Sequence, residues 1–138
     1  MCQSPETRVL VVEDDARVCE MLIDMLAAYG LTQVMGVSSV RDAVGQIHLC
    51  QPDVVLLDLW LPDSHGIATL RRIKAVTRWA AIIVLTGMGE TGLRANCIDA
   101  GAYAFLRKGG VTLSTVVETL LMGAEVYASG RRLIQHVS

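Results

Sequence analysis

Residues 53–58, DVVLLD, decide the fold, because four consecutive aliphatic residues stand there between two acids. An apolar run of this length, without alternation of polar and apolar positions, is typical of a strand buried on both faces of a parallel sheet. Similar or weaker runs occur at residues 9–12, 33–37, 80–86 and 103–107. The sequence therefore predicts five short strands that are enclosed within the molecule.

Segments with the apolar spacing of a helix separate these strands. In the first, apolar residues recur from Val18 to Tyr29 along one helix face, and Gly30 ends the pattern. Further segments of this kind cover residues 40–47, about 67–76 and 113–124, and a weakly patterned one ends at about residue 100. This alternation favours an α/β fold, a single doubly wound (βα)5 domain whose five-stranded parallel sheet is covered by helices on both faces.

Composition bounds the class of protein. The chain has 138 residues, which is one domain's worth, and 52% of them are hydrophobic, with a mean hydropathy of +0.45, so global disorder is excluded. The net charge of −2 gives no basic surplus, and we expect no direct nucleic-acid binding by this domain.

No apolar run approaches the roughly 20 residues that cross a bilayer. Residues 1–8 are polar and unlike a signal peptide, so we expect a cytoplasmic protein without membrane contact.

The cysteines are scattered along the chain and form no C-x-x-C pair, which argues against a zinc site or a redox dithiol. We expect buried or half-buried thiols in a reducing compartment. They stand at Cys2, Cys19, Cys50 and Cys97.

Acidic and polar residues end several of the predicted strands. Glu13 and Asp14 follow the first strand, Asp58 follows the third, Thr86 ends the fourth and Lys108 follows the fifth. Ligands of open α/β sheets bind outside the carboxyl ends of the strands, where these side chains meet. Clustered carboxylates suit Mg²⁺, and a carboxylate can be a nucleophile toward phosphorus. The pattern therefore indicates Mg²⁺-dependent phosphoryl transfer onto Asp58, with Lys108 and Thr86 facing the phosphoryl oxygens.

Four segments, in this order, resemble the receiver domain of bacterial two-component response regulators. They are VLVVEDD at residues 9–15, LLDLWLPDSHG at 56–66, VLTG at 84–87 and AGAYAFLRKG at 100–109. The resemblance covers residues 8–128, which we take as the receiver domain, and leaves 129–138 as a polar C-terminal tail or the start of a linker.

The resemblance implies a role for each residue of the acidic site. Asp58 would accept a phosphoryl group from a histidine kinase or a histidine phosphotransfer protein. Asp14 would bind Mg²⁺ (or Mn²⁺) directly and Glu13 would hold it through water. The carboxylate of Asp58 and the backbone carbonyl of Trp60 would complete the protein ligands.

The resemblance also implies a switch. Lys108 would pair with the phosphoryl oxygens, Thr86 would move toward them, and Phe105 would turn inward behind Thr86. The signalling surface would be the face of the fourth helix, fifth strand and fifth helix, used for an effector or for a homodimer. That face would include Arg94, Cys97, Tyr103 and part of residues 113–127.

Two bulky residues depart from the family in a way that bears on phosphoryl lifetime. Trp60 and Met88 stand two residues after Asp58 and Thr86, at positions that flank the path of the hydrolytic water in the family. Either they obstruct that path and prolong the phosphorylated state, or they merely line the rim of the site.

Several alternatives remain open at this point. The chain is either a receiver that acts alone or the N-terminal receiver of a longer DNA-binding response regulator, and a non-phosphorylated pseudo-receiver is the weaker third reading. An aspartyl-phosphate phosphatase would have a second acid where Trp60 stands. We therefore expect no enzyme, only a domain that catalyses its own phosphorylation and dephosphorylation.

Overall fold

The structure is a computed structural model that describes residues 7–87 and 91–137, and the side chains of its last helix as far as residue 128. In chain order, its elements are β1 (Arg8–Val12), α1 (Ala16–Ala28), β2 (Gln33–Val37), α2 (Val40–Cys50), β3 (Val54–Leu57), β4 (Trp60–Leu61), β5 (Ser64–His65), α3 (Ile67–Lys74), β6 (Ala81–Thr86), α4 (Leu93–Asp99), β7 (Ala104–Arg107) and α5 (Leu113–Val137).

The sheet confirms the predicted fold. Its five strands lie in the order β2-β1-β3-β6-β7, and every neighbouring pair is parallel. The fifth strand of the prediction is β7, and the run at residues 53–58 provides the central strand, β3. A short antiparallel hairpin, β4–β5, follows β3 and was not predicted. Within the residues that the structure describes, no helix is both long and apolar enough to span a membrane.

Alternate residues of the sheet pack against opposite helix layers. In β3, Val55 and Leu57 join the core formed with α2, α3 and α4, whereas Val54 and Leu56 join the core formed with α1 and α5. All four of these side chains are at most 1% exposed. Strands buried on both faces need apolar residues at every position, and for this reason β3 lacks a polar alternation.

The first helix is capped at both ends, and it ends where the sequence predicts. Asp15 is its N-cap, and the Asp15 carboxylate accepts hydrogen bonds from the backbone N–H groups of Arg17 at 2.9 Å and Val18 at 3.2 Å. At the other end, Gly30 adopts a φ of +92°, a left-handed conformation that favours glycine.

The second helix is capped by two side chains, one of them remote in sequence. Its first backbone N–H groups have no partner within the helix itself. The Asp63 carboxylate accepts from Val40 N–H and Arg41 N–H, both at 3.0 Å, and Ser39 Oγ accepts from Asp42 N–H at 3.1 Å. Because Asp63 lies in the turn of the β4–β5 hairpin, the cap attaches that hairpin to α2.

Two features differ from the sequence-based expectations. Cys97 is fully buried among the residues of the α2–α3–α4 core, so it does not belong to the signalling surface. Cys50 is exposed, although we expected buried or half-buried thiols.

The backbone of α5 is helical to Val137 and so extends into the segment that we expect to be a tail or the start of a linker.

The cap predicts a pH-dependent contribution of Asp63 to stability. The bond from Val40 N–H, opposed by slight burial and assisted by Arg41 N–H and the charge of Arg72, holds the pKa of Asp63 below its ordinary value. A lowered folded-state pKa stabilises the fold above the ordinary pKa of the carboxyl, and that stabilisation is lost as the pH falls through the lowered value. Asp63→Ala should therefore lower the free energy of unfolding at neutral pH by about 1 kcal/mol.

Thermal unfolding at several pH values checks this prediction. The difference between wild type and Asp63→Ala should shrink as the pH falls below about 4. Asp24→Ala, which removes an exposed acid within α1, is the control and should not reproduce the loss. A difference that stays constant with pH would show that the charge of Asp63 is not what stabilises α2.

Candidate functional site

Three carboxylates meet at the carboxyl edge of the sheet. Glu13 and Asp14 follow β1, and Asp58 follows the adjacent β3. Backbone bonds from Glu13 N–H to the Val37 carbonyl, 2.9 Å, and from Asp58 N–H to the Val12 carbonyl, 3.0 Å, fix the main chain beyond the strand ends. One oxygen from each of the three carboxylates lies within 4.8 Å of the others. The parallel sheet therefore assembles the cluster that the sequence predicted.

Lys108 supplies the positive charge of the site. It follows β7, and its backbone N–H donates to the Thr86 carbonyl at 3.0 Å, which fixes the root of the side chain. Its ammonium group donates to Glu13 Oε1 and, at 3.0 Å, to Asp58 Oδ2. Lys108 thus joins both strand-end acids, and neutralises only part of their charge.

Burial and hydrogen bonding shift the pKa values of Glu13 and Lys108. Burial raises the pKa of Glu13, and the neighbouring Asp58 charge acts in the same direction, although bonds from Lys108 and from Asp15 N–H oppose them. Burial alone would lower the pKa of Lys108, but its bonds to Glu13 and Asp58 raise it above its ordinary value. Lys108 therefore stays a cation at neutral pH.

The two oxygens of Asp58 are held by different elements. Oδ2 accepts from Lys108, and Oδ1 accepts from the backbone N–H of Trp60 at 3.1 Å. The Asp58 side chain is only 8% exposed, so both bonds act in a partly desolvated setting where they are stronger than in water. Asp58 therefore has one defined orientation, set by β7 on one side and by the β3–β4 connection on the other.

The chemistry of the donor set fits Mg²⁺ or Mn²⁺. These cations prefer oxygen ligands and retain several waters, so a few carboxylates on one side of the ion suffice. Asp14 is exposed and open to a hydrated ion, whereas Glu13 and Asp58 are buried beside it. Three carboxylates against one ammonium also leave surplus negative charge for a divalent cation to neutralise.

The structure places the other predicted residues around this cluster. Thr86 is fully buried at the end of β6, next to β3. Phe105 on β7 is buried, with 2% of its surface exposed, and the guanidinium of Arg94 lies 5.2 Å from the centre of its ring. The Trp60 ring lies 5.8 Å from that of His65, its partner across the hairpin. Met88 lies outside the described residues.

Sequence reasoning missed three residues in or next to the connection between β3 and α3. Asp63 caps α2, while Ser64 and Thr69 form a hydrogen-bonded pair of hydroxyls beneath the loop. Polar residues at apolar positions of a helix or hairpin could have drawn attention to Ser64 and Thr69, but their partners are set by the loop conformation, which periodicity does not show.

Comparison with known proteins agrees with this geometry. The family model described as the response regulator receiver domain matches residues 9–120. The chemotaxis protein CheY of Thermotoga maritima is 34% identical over 113 residues, which cover 82% of this chain and 93% of that protein. The chemotaxis protein CheY of Bacillus subtilis is 33% identical over 101 residues, covering 73% of this chain and 84% of that protein.

A solved structure extends the comparison to three dimensions. The solution structure of the beryllofluoride-activated NtrC4 receiver domain dimer superposes with a TM-score of 0.77 at 30% identity, covering 87% of this chain and 98% of that one. The family model, the sequence relatives and the fold thus agree. The chain belongs to the response regulator receiver domain family.

Proposed function

We propose that this chain is the phosphorylatable receiver of a two-component phosphorelay, in which Asp58 accepts a phosphoryl group from a histidine kinase or a histidine phosphotransfer protein. The observation that carries the proposal is the position of the Asp58 carboxylate. It is buried, oriented by Lys108 and by Trp60 N–H, and within 4.8 Å of the oxygens of Glu13 and Asp14. Such a carboxylate is presented for attack on phosphorus.

In the proposed reaction, an oxygen of Asp58 attacks the phosphorus of a phosphohistidine. The new P–O bond forms as the P–N bond breaks, and the imidazole leaves with the electron pair of that bond. Glu13, Asp14, Asp58 and the Trp60 carbonyl would hold Mg²⁺ or Mn²⁺, which supplies neutralisation of the phosphoryl charge. Lys108 contributes an ammonium group to a phosphoryl oxygen, and Thr86 contributes a hydroxyl.

The groove between α1 and α5 supports a docking surface for the phosphodonor. It has a volume of about 290 Å³ and opens beside Lys108. Met21 and Met25 of α1 line one side, and Val111 and Leu113 line the other. Methionine-rich apolar surfaces adapt to helical partners, so a helix that carries the phosphohistidine fits this groove next to Asp58.

The face of α4, β7 and α5 supports the output surface. Arg94 covers Phe105 there, so a movement of Thr86 and Phe105 would reach the surface through α4. Apolar side chains are also exposed on these two helices, namely Ile98, Leu121, Met122 and Val126. We propose that an effector or a second copy binds this face after phosphorylation, as a shift between two populated states.

The remaining assignments follow from the same proposal. Residues 8–128 form the receiver, and the protein is cytoplasmic, catalysing only its own phosphorylation and dephosphorylation. The same site chemistry would serve the N-terminal receiver of a longer DNA-binding regulator.

Phosphorylation of Asp58 should be directly observable. With Mg²⁺ and acetyl phosphate, the wild type should gain one phosphoryl group in its intact mass, and Asp58→Asn should gain none, because the amide is not a nucleophile toward phosphorus. Asp53→Asn, which changes an acid at the opposite end of β3, is the matched control and should still be phosphorylated. A wild type that binds Mg²⁺ without gaining mass would indicate a pseudo-receiver.

Metal binding should depend on the acids of the cluster. In a Trp79→Phe background, Trp60 is the remaining tryptophan, and its fluorescence should change on titration with Mg²⁺ or Mn²⁺. Glu13 is expected to hold the ion through a water molecule, so Glu13→Gln should weaken the affinity for the metal ion by about 10–100-fold. Asp14→Asn should weaken it by at least as much. Equal affinities in the three proteins would place the cation elsewhere.

The two bulky residues should prolong the phosphorylated state. If Trp60 and Met88 exclude the hydrolytic water, Trp60→Asn and Met88→Glu should each shorten the lifetime of the phosphoryl group several-fold. The decay of the phosphorylated intact mass measures this after removal of acetyl phosphate. If both variants have the lifetime of the wild type, Trp60 and Met88 do not obstruct the water and merely line the rim of the site.

A further inference from the structure

Two hydroxyl groups are buried beneath the loop that follows Asp58. Ser64 of β5 is 9% exposed and Thr69 of α3 is 0% exposed. A hydroxyl taken out of water into a protein core is destabilising unless it forms hydrogen bonds. Apolar side chains would fill this space without needing hydrogen bonds, so the groups that the hydroxyls contact indicate what the hydroxyls do.

The Thr69 hydroxyl donates toward two acceptors. Thr69 Oγ1 lies 3.1 Å from the carbonyl oxygen of Leu59 and 2.9 Å from Ser64 Oγ, and it is the donor in both contacts. A hydroxyl has one proton, so this proton is shared between the two acceptors. Ser64 therefore holds the Thr69 hydroxyl beside the Leu59 carbonyl.

The peptide group that accepts the bond from Thr69 is also the one that binds Asp58. The Leu59 carbonyl also accepts from Gly66 N–H at 2.8 Å, so two donors fix its direction. The N–H at the opposite end of the same peptide group belongs to Trp60, and it donates to Asp58 Oδ1 at 3.1 Å. Because a peptide group is planar, fixing its carbonyl also aims its N–H.

We propose that Thr69 and Ser64 are positioning residues that orient the Asp58 carboxylate for phosphoryl transfer through the Leu59–Trp60 peptide group. This inference rests on the proposed function of Asp58. The bond from Thr69 to the Leu59 carbonyl polarises this peptide group, so the Trp60 N–H is a stronger donor while Thr69 is bonded.

Three variants separate positioning from structural support. Thr69→Val preserves the shape of the side chain and removes the hydroxyl, whereas Thr69→Ser keeps the hydroxyl and removes the methyl group. Thr119→Val is the matched control, because the Thr119 hydroxyl also donates to a backbone carbonyl, that of Thr115 at 2.7 Å, but within α5. Thermal unfolding is measured for each variant to establish that it folds.

The first readout needs neither metal nor phosphoryl donor. The Trp60 amide proton in the ¹⁵N-labelled protein should move upfield in Thr69→Val and exchange faster with solvent, because its bond to Asp58 weakens. In Thr69→Ser and Thr119→Val it should stay at the wild-type position. The second readout is the rate of phosphorylation by acetyl phosphate, which should fall about 10-fold in Thr69→Val alone.

The proposal is overturned if Thr69→Val folds and leaves the Trp60 amide proton unchanged, or if Thr69→Ser shifts it as much as Thr69→Val does. An amide shift in Thr69→Val with an unchanged phosphorylation rate would also overturn it, because orientation would then not serve the reaction. Should the wild type itself gain no phosphoryl group, the proposed function fails, and the amide shift alone still decides whether Thr69 orients Asp58.

Discussion

Gathering three carboxylates around one ammonium group is the constraint on which this structure depends. Parallel strands bring their carboxyl ends to one edge, so acids that follow β1 and β3 are forced together. Like charges at such separations repel, and burial of Glu13 and Asp58 increases the effect. Lys108 offsets part of it by bonding to both residues. The aliphatic core on both faces of the sheet holds the strands against the remaining repulsion.

The parts of the fold that repeat were predictable, and the parts that depend on remote partners were not. The five buried parallel strands and the acidic cluster follow from uninterrupted apolar runs that end in acids. The cap that Asp63 places on α2 and the Ser64–Thr69 pair depend on the conformation of a hairpin that has no periodicity. Cys97 was misplaced because α4 has only 7 residues, too few for its apolar face to be read from spacing.

Asp58 is held by two elements with different mechanical properties. Lys108 reaches it with a long side chain from the end of β7, and 27% of that side chain is exposed, so this contact can shift to a phosphoryl oxygen. Trp60 N–H reaches the other oxygen from a short backbone segment that is anchored below by buried hydroxyls. One side of the carboxylate is thus adaptable and the other is rigid.

The close approach of α1 to β2 limits which residues can stand at two positions, one on each element. A Cβ atom at Gly36 would lie 2.5 Å from the Sγ atom of Cys19, so the two positions share one limited volume. A larger residue at 36 would have to displace the Cys19 side chain of α1, the helix whose N-cap, Asp15, directly follows Asp14. Among relatives, the residues at these two positions should therefore compensate each other in size, so that the edge strand constrains the helix that begins beside the acidic cluster.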